Sequence, residues 1–220
     1  MARASRRAAS TFVSTFREIS SLRVPLNWMS TRRLPHIYPK GRWIFLTWHL
    51  HGVLRTTQFQ PPGKALSGEA FALLDRQLDR AAAGPTYLRQ EAIANVVEKS
   101  LRWGTEVGNY DLAAYVIMPN HVHALLLPKI SVTLLMKTLK GFTAREANKI
   151  LGRTGEQFWQ KESYDHWVRD RIEFDRIKNY IENNPMKAGL VASPNEYRWS
   201  SARNVDTNVD AAHLEARATC

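Results

Sequence analysis

The pattern of apolar and polar positions along the chain predicts four strands. Residues 43–48 are mostly aromatic or β-branched, which is typical of a buried strand. Residues 110–118 and 121–127 form two more strands, joined by the short turn Met118-Pro119-Asn120, and they predict a hairpin. A further extended segment is expected between residues 158 and 168.

Apolar residues spaced three or four apart predict helices between these strands. One helix is expected from the apolar positions of residues 88–101. Another is expected to start at Ser131, as its N-cap, and to continue to about Leu151. Its apolar side is expected to consist of Leu134, Leu135, Leu139 and Phe142. A helical turn earlier in the chain is indicated by the spacing of Phe71, Leu74 and Leu78.

The last helix is expected to follow Asp170, a residue type that caps helix N-termini well. It should end at Asn184, because the residue before a proline disfavours helical backbone. Its apolar face is expected to consist of Phe174, Ile177 and Ile181.

The predicted order is strand, helices, two hairpin strands, helix, strand, helix. This order indicates an α+β fold with a ferredoxin-like antiparallel sheet, of the kind also called RRM-like or palm-like, and helices on one face. The compact domain is expected to span residues 32–200. Residues 1–31 are interpreted as a flexible basic arm, and residues 201–220 as a polar tail with little order.

The charge of the chain indicates the class of partner that it binds. The net charge is +11, and residues 1–40 contain eight basic residues against one acidic residue. A chain this basic usually binds a polyanion, although a basic tail alone can produce the same total. No apolar run approaches the roughly 18–20 residues that span a bilayer, and the N-terminus lacks the apolar core of a secretory signal. We therefore expect no membrane partner and a cytoplasmic, nucleoid-associated protein.

The cysteine content restricts the possible metal sites. The sequence contains one cysteine, Cys220, at its last position. One thiol cannot form an internal disulfide or a thiolate zinc site. Any metal ligands must therefore be His, Asn, Asp, Glu or Gln side chains.

Two histidines stand out on the second hairpin strand. His121 and His123 are two residues apart, so on a strand both imidazoles project from one face while Val122 projects from the other. Two adjacent imidazoles can hold a divalent metal, with a third ligand from elsewhere. The alternative is a pair of ordinary polar residues on a solvated strand.

The last helix offers a nucleophile and a third ligand. Tyr180 and Asn184 are four residues apart and therefore share one helical face. The carbonyl oxygen of Asn184 suits a hard cation such as Mg²⁺ or Mn²⁺. The phenol of Tyr180 is a possible nucleophile once a base or metal assists it. The alternatives are a half-buried helix tyrosine and a polar residue at a helix end.

Basic and aromatic side chains supply candidate contacts to nucleic acid. Basic residues on the third predicted helix and at the start of the compact part are interpreted as phosphate contacts, and a solvated basic surface is the alternative. These residues are Arg32, Arg33, Lys137, Lys140, Arg145 and Lys149. Unpaired bases could stack on aromatic side chains in the 158–168 segment, where a core role is the alternative for the two tryptophans. These side chains are Trp159, Tyr164, His166 and Trp167.

Taken together, these motifs resemble a known family. Met118-Pro119-Asn120-His121-Val122-His123 is similar to the His-hydrophobic-His (HUH) motif of IS200-like Y1 transposases. More closely, the chain resembles the REP-associated tyrosine transposases over roughly residues 32–200. The supporting stretches are residues 33–36, 140–148, 158–160, 164–166 and 180–191. The segment between Thr47 and Tyr110 is longer than in minimal transposases, and residues 1–30 have no counterpart.

The resemblance implies a specific activity. Members of this family cleave and rejoin single-stranded DNA at hairpin-associated sequences through a 5′-phosphotyrosine, leaving a free 3′-hydroxyl. It implies Tyr180 as nucleophile and His121, His123 and Asn184 as ligands of Mg²⁺ or Mn²⁺. The expected partner is single-stranded or hairpin DNA, and the expected protein is a monomer or a homodimer.

Two other functions remain open from the sequence. A ferredoxin-like domain could bind RNA or DNA without catalysis, although such domains usually carry stacking aromatics on central strands, where this chain has His121 and His123. A metal-dependent hydrolase could use bound water instead of Tyr180. The histidine strand lacks the extra carboxylates that such a site would need.

Overall fold

A four-stranded antiparallel sheet organises the described part of the chain. The computed structural model describes residues 39–54, 76–78 and 84–203. The strands are β1 (Ile44–His49), β2 (Tyr110–Ile117), β3 (His121–Pro128) and β4 (Tyr164–Trp167). Their order across the sheet is β2-β3-β1-β4, with β1 and β3 at the centre. This is the ferredoxin-like order, so the predicted α+β fold class and the predicted hairpin are confirmed.

Within residues 84–203, three long helices accompany the sheet: α1 (Glu91–Glu106), α2 (Val132–Ile150) and α3 (Arg171–Lys187). All of these elements belong to one of the two units into which the chain divides, the unit formed by Tyr38–His51 and Pro85–Cys220. In the part of the chain that the structure describes, no helix is both long enough and apolar enough to cross a bilayer.

The two faces of the sheet are covered by different helices. On one face, the Trp48 ring packs edge-on against Trp159, whose indole donates to Thr143 of α2, and α1 packs beside α2. On the opposite face, Phe45 packs against Tyr180 of α3. The expectation of helices on one face therefore holds for α1 and α2, and α3 adds a layer on the other side. Strand β1 needs cover on both faces, because its consecutive residues Ile44, Phe45 and Leu46 are all buried and neighbouring residues of a strand face opposite sides.

Helix α2 buries a different stripe from the one expected. Leu135 and Leu139 are buried as predicted, but Leu134 and Phe142 are 54% and 45% exposed, so that part of the prediction was wrong. The buried face is centred on residues 132, 135, 136, 139, 143 and 147. Two overlapping apolar stripes are present in the sequence, and packing selects only one of them.

Helix α3 begins as predicted but ends later. The carboxylate of Asp170 accepts a hydrogen bond from the Glu173 backbone N–H at 2.8 Å and caps the helix. The helix continues to Lys187, so the expected end at Asn184 was wrong. Pro185 lies in the last turn, where its missing N–H removes only one helical hydrogen bond. The Asn184 carbonyl still accepts from Ala188 N–H at 2.9 Å, which keeps Asn184 in helical geometry.

The chain after residue 191 continues to contact β2. The Ile117 N–H donates to the Trp199 carbonyl at 2.8 Å, and the Tyr115 N–H donates to Ser201 Oγ at 3.1 Å. The helical turn Ser201–Arg203 therefore extends the folded part three residues beyond the expected boundary at Ser200. Residues 204–220, the arm 1–31 and the candidates Arg32, Arg33, Phe71 and Leu74 lie outside the described residues.

Candidate active site

Strand β3 brings two imidazoles together inside the protein. His121 and His123 project from the same face of the sheet, as the strand geometry predicted, and both side chains are fully buried. Their Nε2 atoms are 3.1 Å apart. Two nitrogens that bind one ion at adjacent positions are separated by about 3 Å, because each metal–nitrogen bond is about 2.1 Å long.

A neighbouring oxygen contacts the other ring nitrogen of each histidine. Asn120 Oδ1 lies 2.6 Å from His121 Nδ1, and Thr47 Oγ1 lies 2.7 Å from His123 Nδ1. An imidazole that donates from Nδ1 presents the lone pair of Nε2, which is the form that binds a metal. Sequence reasoning missed both oxygens. Asn120 could have been found from its position in the turn, whereas Thr47 depends on the pairing of β1 with β3.

Helix α3 carries the other two candidates into the same region. Tyr180 and Asn184 are 4% and 1% exposed. Asn184 Nδ2 donates to the Tyr180 hydroxyl oxygen at 3.2 Å. Asn184 Oδ1 is buried and has no hydrogen-bond partner among the described residues. The Tyr180 ring is centred 5.6 Å from the His123 ring. All four predicted catalytic and metal-binding residues therefore belong to one buried cluster.

The donor atoms of this cluster fit a hard or borderline divalent cation. They are two imidazole nitrogens and one amide oxygen. The amide oxygen is buried with no partner in the described part of the chain, a cost that a bound cation would offset. Among residues 39–54, 76–78 and 84–203, no group of three His, Cys, Asp or Glu side chains is arranged to hold a metal. The histidine pair with Asn184 is thus the donor set that the described chain offers.

The electrostatic environment distinguishes the two tyrosines near the histidines. Lys187 Nζ lies 4.5 Å from the centre of the Tyr180 ring, and its positive charge favours negative charge on the phenol oxygen. Tyr164 is on β4, opposite Thr47. Burial raises the pKa of Tyr164, with contributions from Asp165 and Glu173. Burial therefore disfavours the phenolate form of Tyr164.

The basic candidates on α2 fall into two groups. Lys137, Arg145 and Lys149 are exposed, and the last two form ion pairs with Glu146. Lys140 instead donates to two backbone carbonyls, those of residues 160 and 161, at 2.7 and 2.9 Å. The contacts of these basic residues are made within α2 or with the segment before β4, and in the described part of the chain none is made with the buried cluster of His121, His123, Tyr180 and Asn184.

The aromatic candidates also have different environments. Trp159 is a core residue packed on Trp48. His166 pairs with the buried carboxylate of Glu173 at 3.0 Å and ties β4 to the start of α3. Trp167 is 38% exposed at the edge strand. Of the four proposed stacking residues, Trp167 has the most accessible ring.

Comparison with known proteins shows a similarity to transposases over part of the chain. Residues 86–184 match the family model described as transposase IS200 like. A REP-associated tyrosine transposase bound to a REP hairpin is similar at 18% identity and a TM-score of 0.48, over 79% of this chain and 84% of that one. A candidate transposase from Deinococcus radiodurans is similar at 18% identity and a TM-score of 0.37, over 70% and 97% of the two chains. No curated protein sequence is significantly similar.

The family match covers the functional cluster. It includes the hairpin with His121 and His123, the helix α2 and the part of α3 that carries Tyr180 and Asn184. Over residues 86–184, the chain is therefore similar to the IS200-like transposases.

Proposed function

We propose that this protein is a single-strand DNA endonuclease and strand transferase that uses Tyr180 as its nucleophile. One observation carries the proposal. The Asn184 amide donates to the Tyr180 hydroxyl from its nitrogen, and its buried oxygen has no partner among the residues described. The same cluster contains two adjacent imidazoles. A single side chain thereby connects the nucleophile to the metal-binding donors.

The proposed reaction is a transesterification at phosphorus. The Tyr180 oxygen forms a bond to the scissile phosphorus as the bond from phosphorus to the 3′-oxygen breaks. The phenolic proton passes to solvent, and the departing 3′-oxygen takes up a proton to become a free hydroxyl. The product is a 5′-phosphotyrosine. Attack by a 3′-hydroxyl reverses these steps and restores a phosphodiester, so rejoining needs no nucleotide cofactor.

The side chains of the cluster have separate roles in this scheme. His121, His123 and Asn184 would hold Mg²⁺ or Mn²⁺, with Asn120 and Thr47 orienting the two imidazoles. When bound, the ion polarises the scissile phosphate and offsets its developing charge. Asn184 Nδ2 and the Lys187 ammonium stabilise the phenol oxygen as it gains negative character.

Two observations argue against the other functions. A binding domain of the RRM type needs exposed aromatics on its central strands, but Phe45 is fully buried beneath α3. A hydrolase that activates water would need carboxylates near the histidines, and among the described residues no such group is present. Both observations favour the tyrosine mechanism.

The proposed substrate is hairpin-associated single-stranded DNA of the REP type. It follows from the sequence motifs shared with REP-associated tyrosine transposases, including the segment 180–191 around the nucleophile. We propose the cytoplasm, in association with the nucleoid, as the location, and a monomer or homodimer as the assembly.

The test is covalent capture on a denaturing gel with labelled hairpin DNA carrying single-stranded flanks. The wild-type protein should give a protein–DNA band. Tyr180→Phe should abolish this band and cleavage while leaving DNA binding near normal, since only one oxygen is removed. Tyr164→Phe is the matched control and should retain the band. A band that survives Tyr180→Phe and disappears with Tyr164→Phe would show that the nucleophile is misassigned.

A further inference from the structure

A glycine interrupts the exposed face of α2, and no contact with the described residues requires it. Gly141 lies in the middle of the helix, exposed and with ordinary helical backbone. A Cβ atom added there would meet no described atom within 4 Å. Glycine weakens a helix interior relative to alanine. Close approach of a ligand to the helix backbone is one circumstance in which a glycine is needed.

The surroundings of Gly141 are both apolar and basic. Leu134 and Phe142 are about half exposed on the same face of α2. The guanidinium of Arg145 lies 5.5 Å from the centre of the Phe142 ring. With the other exposed basic residues of this face they form what we call the α2 stripe: Leu134, Lys137, Gly141, Phe142, Arg145 and Lys149.

We propose that the α2 stripe binds a single-stranded segment of the DNA substrate outside the cleavage site. The sugar–phosphate backbone would pass over Gly141, and a base would stack on Phe142. Lys137, Arg145 and Lys149 would contact phosphates. The proposal rests on the proposed function only in taking DNA as the substrate.

The composition of the stripe favours single-stranded nucleic acid over other occupants. An aromatic ring set among basic side chains is the combination that single-strand binding surfaces use, because every base can stack and every phosphate is negative. The stripe carries three positive charges, two of which pair with Glu146, the one acidic residue within α2. Residues 1–38 contain seven arginines and one glutamate, so their charge does not complement the stripe.

The stripe is also connected to the buried cluster through the backbone. Lys140, adjacent to Gly141, donates to the carbonyl of Gln160 at 2.7 Å. The Gln160 N–H in turn donates to the carbonyl of His49 at 2.9 Å, and His49 pairs directly with His121 across the sheet. These bonds connect α2 to the end of β1 that pairs with His121.

The first test uses Gly141→Ala in the full chain, with an oligothymidine single strand as the fluorescent probe. The substitution should raise Tm by about 2–4 °C, because alanine favours the helix. It should also weaken oligothymidine binding at least about threefold, because a methyl group occupies the path of the strand. Thr133→Ala is the control, since Thr133 is exposed on α2 outside the stripe. It should change binding less than about twofold.

A second pair of variants separates stacking from charge. Phe142→Leu should weaken oligothymidine binding about tenfold, within the range for one stacked base, whereas Phe142→Tyr should bind nearly as wild type. Unchanged binding by both Gly141→Ala and Phe142→Leu, or destabilisation by Gly141→Ala, would overturn the proposal. A failure of the proposed function would be recognised by a different result, namely that the wild-type protein forms no covalent band with hairpin DNA. Reduced oligothymidine binding by Gly141→Ala would support the α2 stripe whether or not the wild-type protein forms that band.

Discussion

Asn184 donates a hydrogen bond from Nδ2 to the hydroxyl oxygen of Tyr180 across one turn of α3, at 3.2 Å. Because the nitrogen is engaged in this way, the amide oxygen is the atom that remains for a cation. The two halves of one amide therefore have separable roles. Substitutions that alter one half and keep the other can test them individually.

Asn184→Asp should retain metal binding but lose chemistry. The carboxylate keeps an oxygen ligand and adds charge, so Mn²⁺ affinity should be equal or higher, as measured by electron paramagnetic resonance. The donor to Tyr180 is lost, and adduct formation should slow about 100-fold. Asn184→Ala should lose both properties. A normal rate of adduct formation by Asn184→Asp would show that the Nδ2 hydrogen bond is unimportant for the reaction.

The oxygen atoms beside the histidines lead to a second prediction. Asn120→Leu and Thr47→Val should each weaken Mn²⁺ binding about 10–100-fold in the absence of DNA, because each removes the contact that orients an imidazole. Thr47→Ser keeps the hydroxyl and is the matched control. Calorimetric titration provides the measurement. Affinities equal to wild type in both variants would mean that the rings are oriented by packing alone.

The cluster could be anticipated from sequence wherever local geometry determines it. A spacing of two residues on a strand places His121 and His123 on the same face. A spacing of four residues on a helix places Tyr180 beside Asn184. Thr47 could not be found this way. Its contact with His123 joins positions 76 residues apart and depends on strand register.

The errors about helices have the same origin. Leu134 and Leu135 are equally apolar, and only packing against the rest of the domain decides which one is buried. Pro185 was expected to end α3, but the buried contacts of the last turn outweigh the loss of one hydrogen bond. Sequence patterns gave the type and order of the elements because periodicity controls them. Tertiary packing controls which faces are buried and where helices end.

Lys140 should make stability depend on pH. Burial lowers the pKa of Lys140 from 10.5 to about 8 in the folded protein. Between these values the unfolded chain binds more protons than the native protein, so the free energy of unfolding should rise with pH. The gain between about pH 8 and about pH 9.5 should be about 2 kcal/mol. Below about pH 8 both states are protonated and this contribution is constant.

Lys140→Met tests this prediction, because methionine keeps an unbranched apolar side chain without the charge. Urea unfolding at about pH 7 and about pH 9.5 should show the rise in the wild-type protein and a flat profile in the variant. The range stops below pH 10 because burial raises the pKa of Tyr110 and Tyr197, whose titration acts in the opposite direction at higher pH. Parallel profiles for the two proteins would show that the Lys140 ammonium is not destabilised by burial.

The basic arm should contribute affinity but not chemistry. Residues 1–30 contain five arginines and one glutamate, whereas Tyr180, His121, His123 and Asn184 all lie in the folded domain. Each phosphate neutralised contributes a salt slope of about −0.7 on single strands, so deleting residues 1–30 should flatten the salt dependence of binding and weaken cognate and scrambled hairpins alike. The rate of adduct formation in the saturated complex should be unchanged. If cognate binding falls much further than scrambled binding across a salt series, the arm reads sequence, as basic arms of some DNA-binding proteins do.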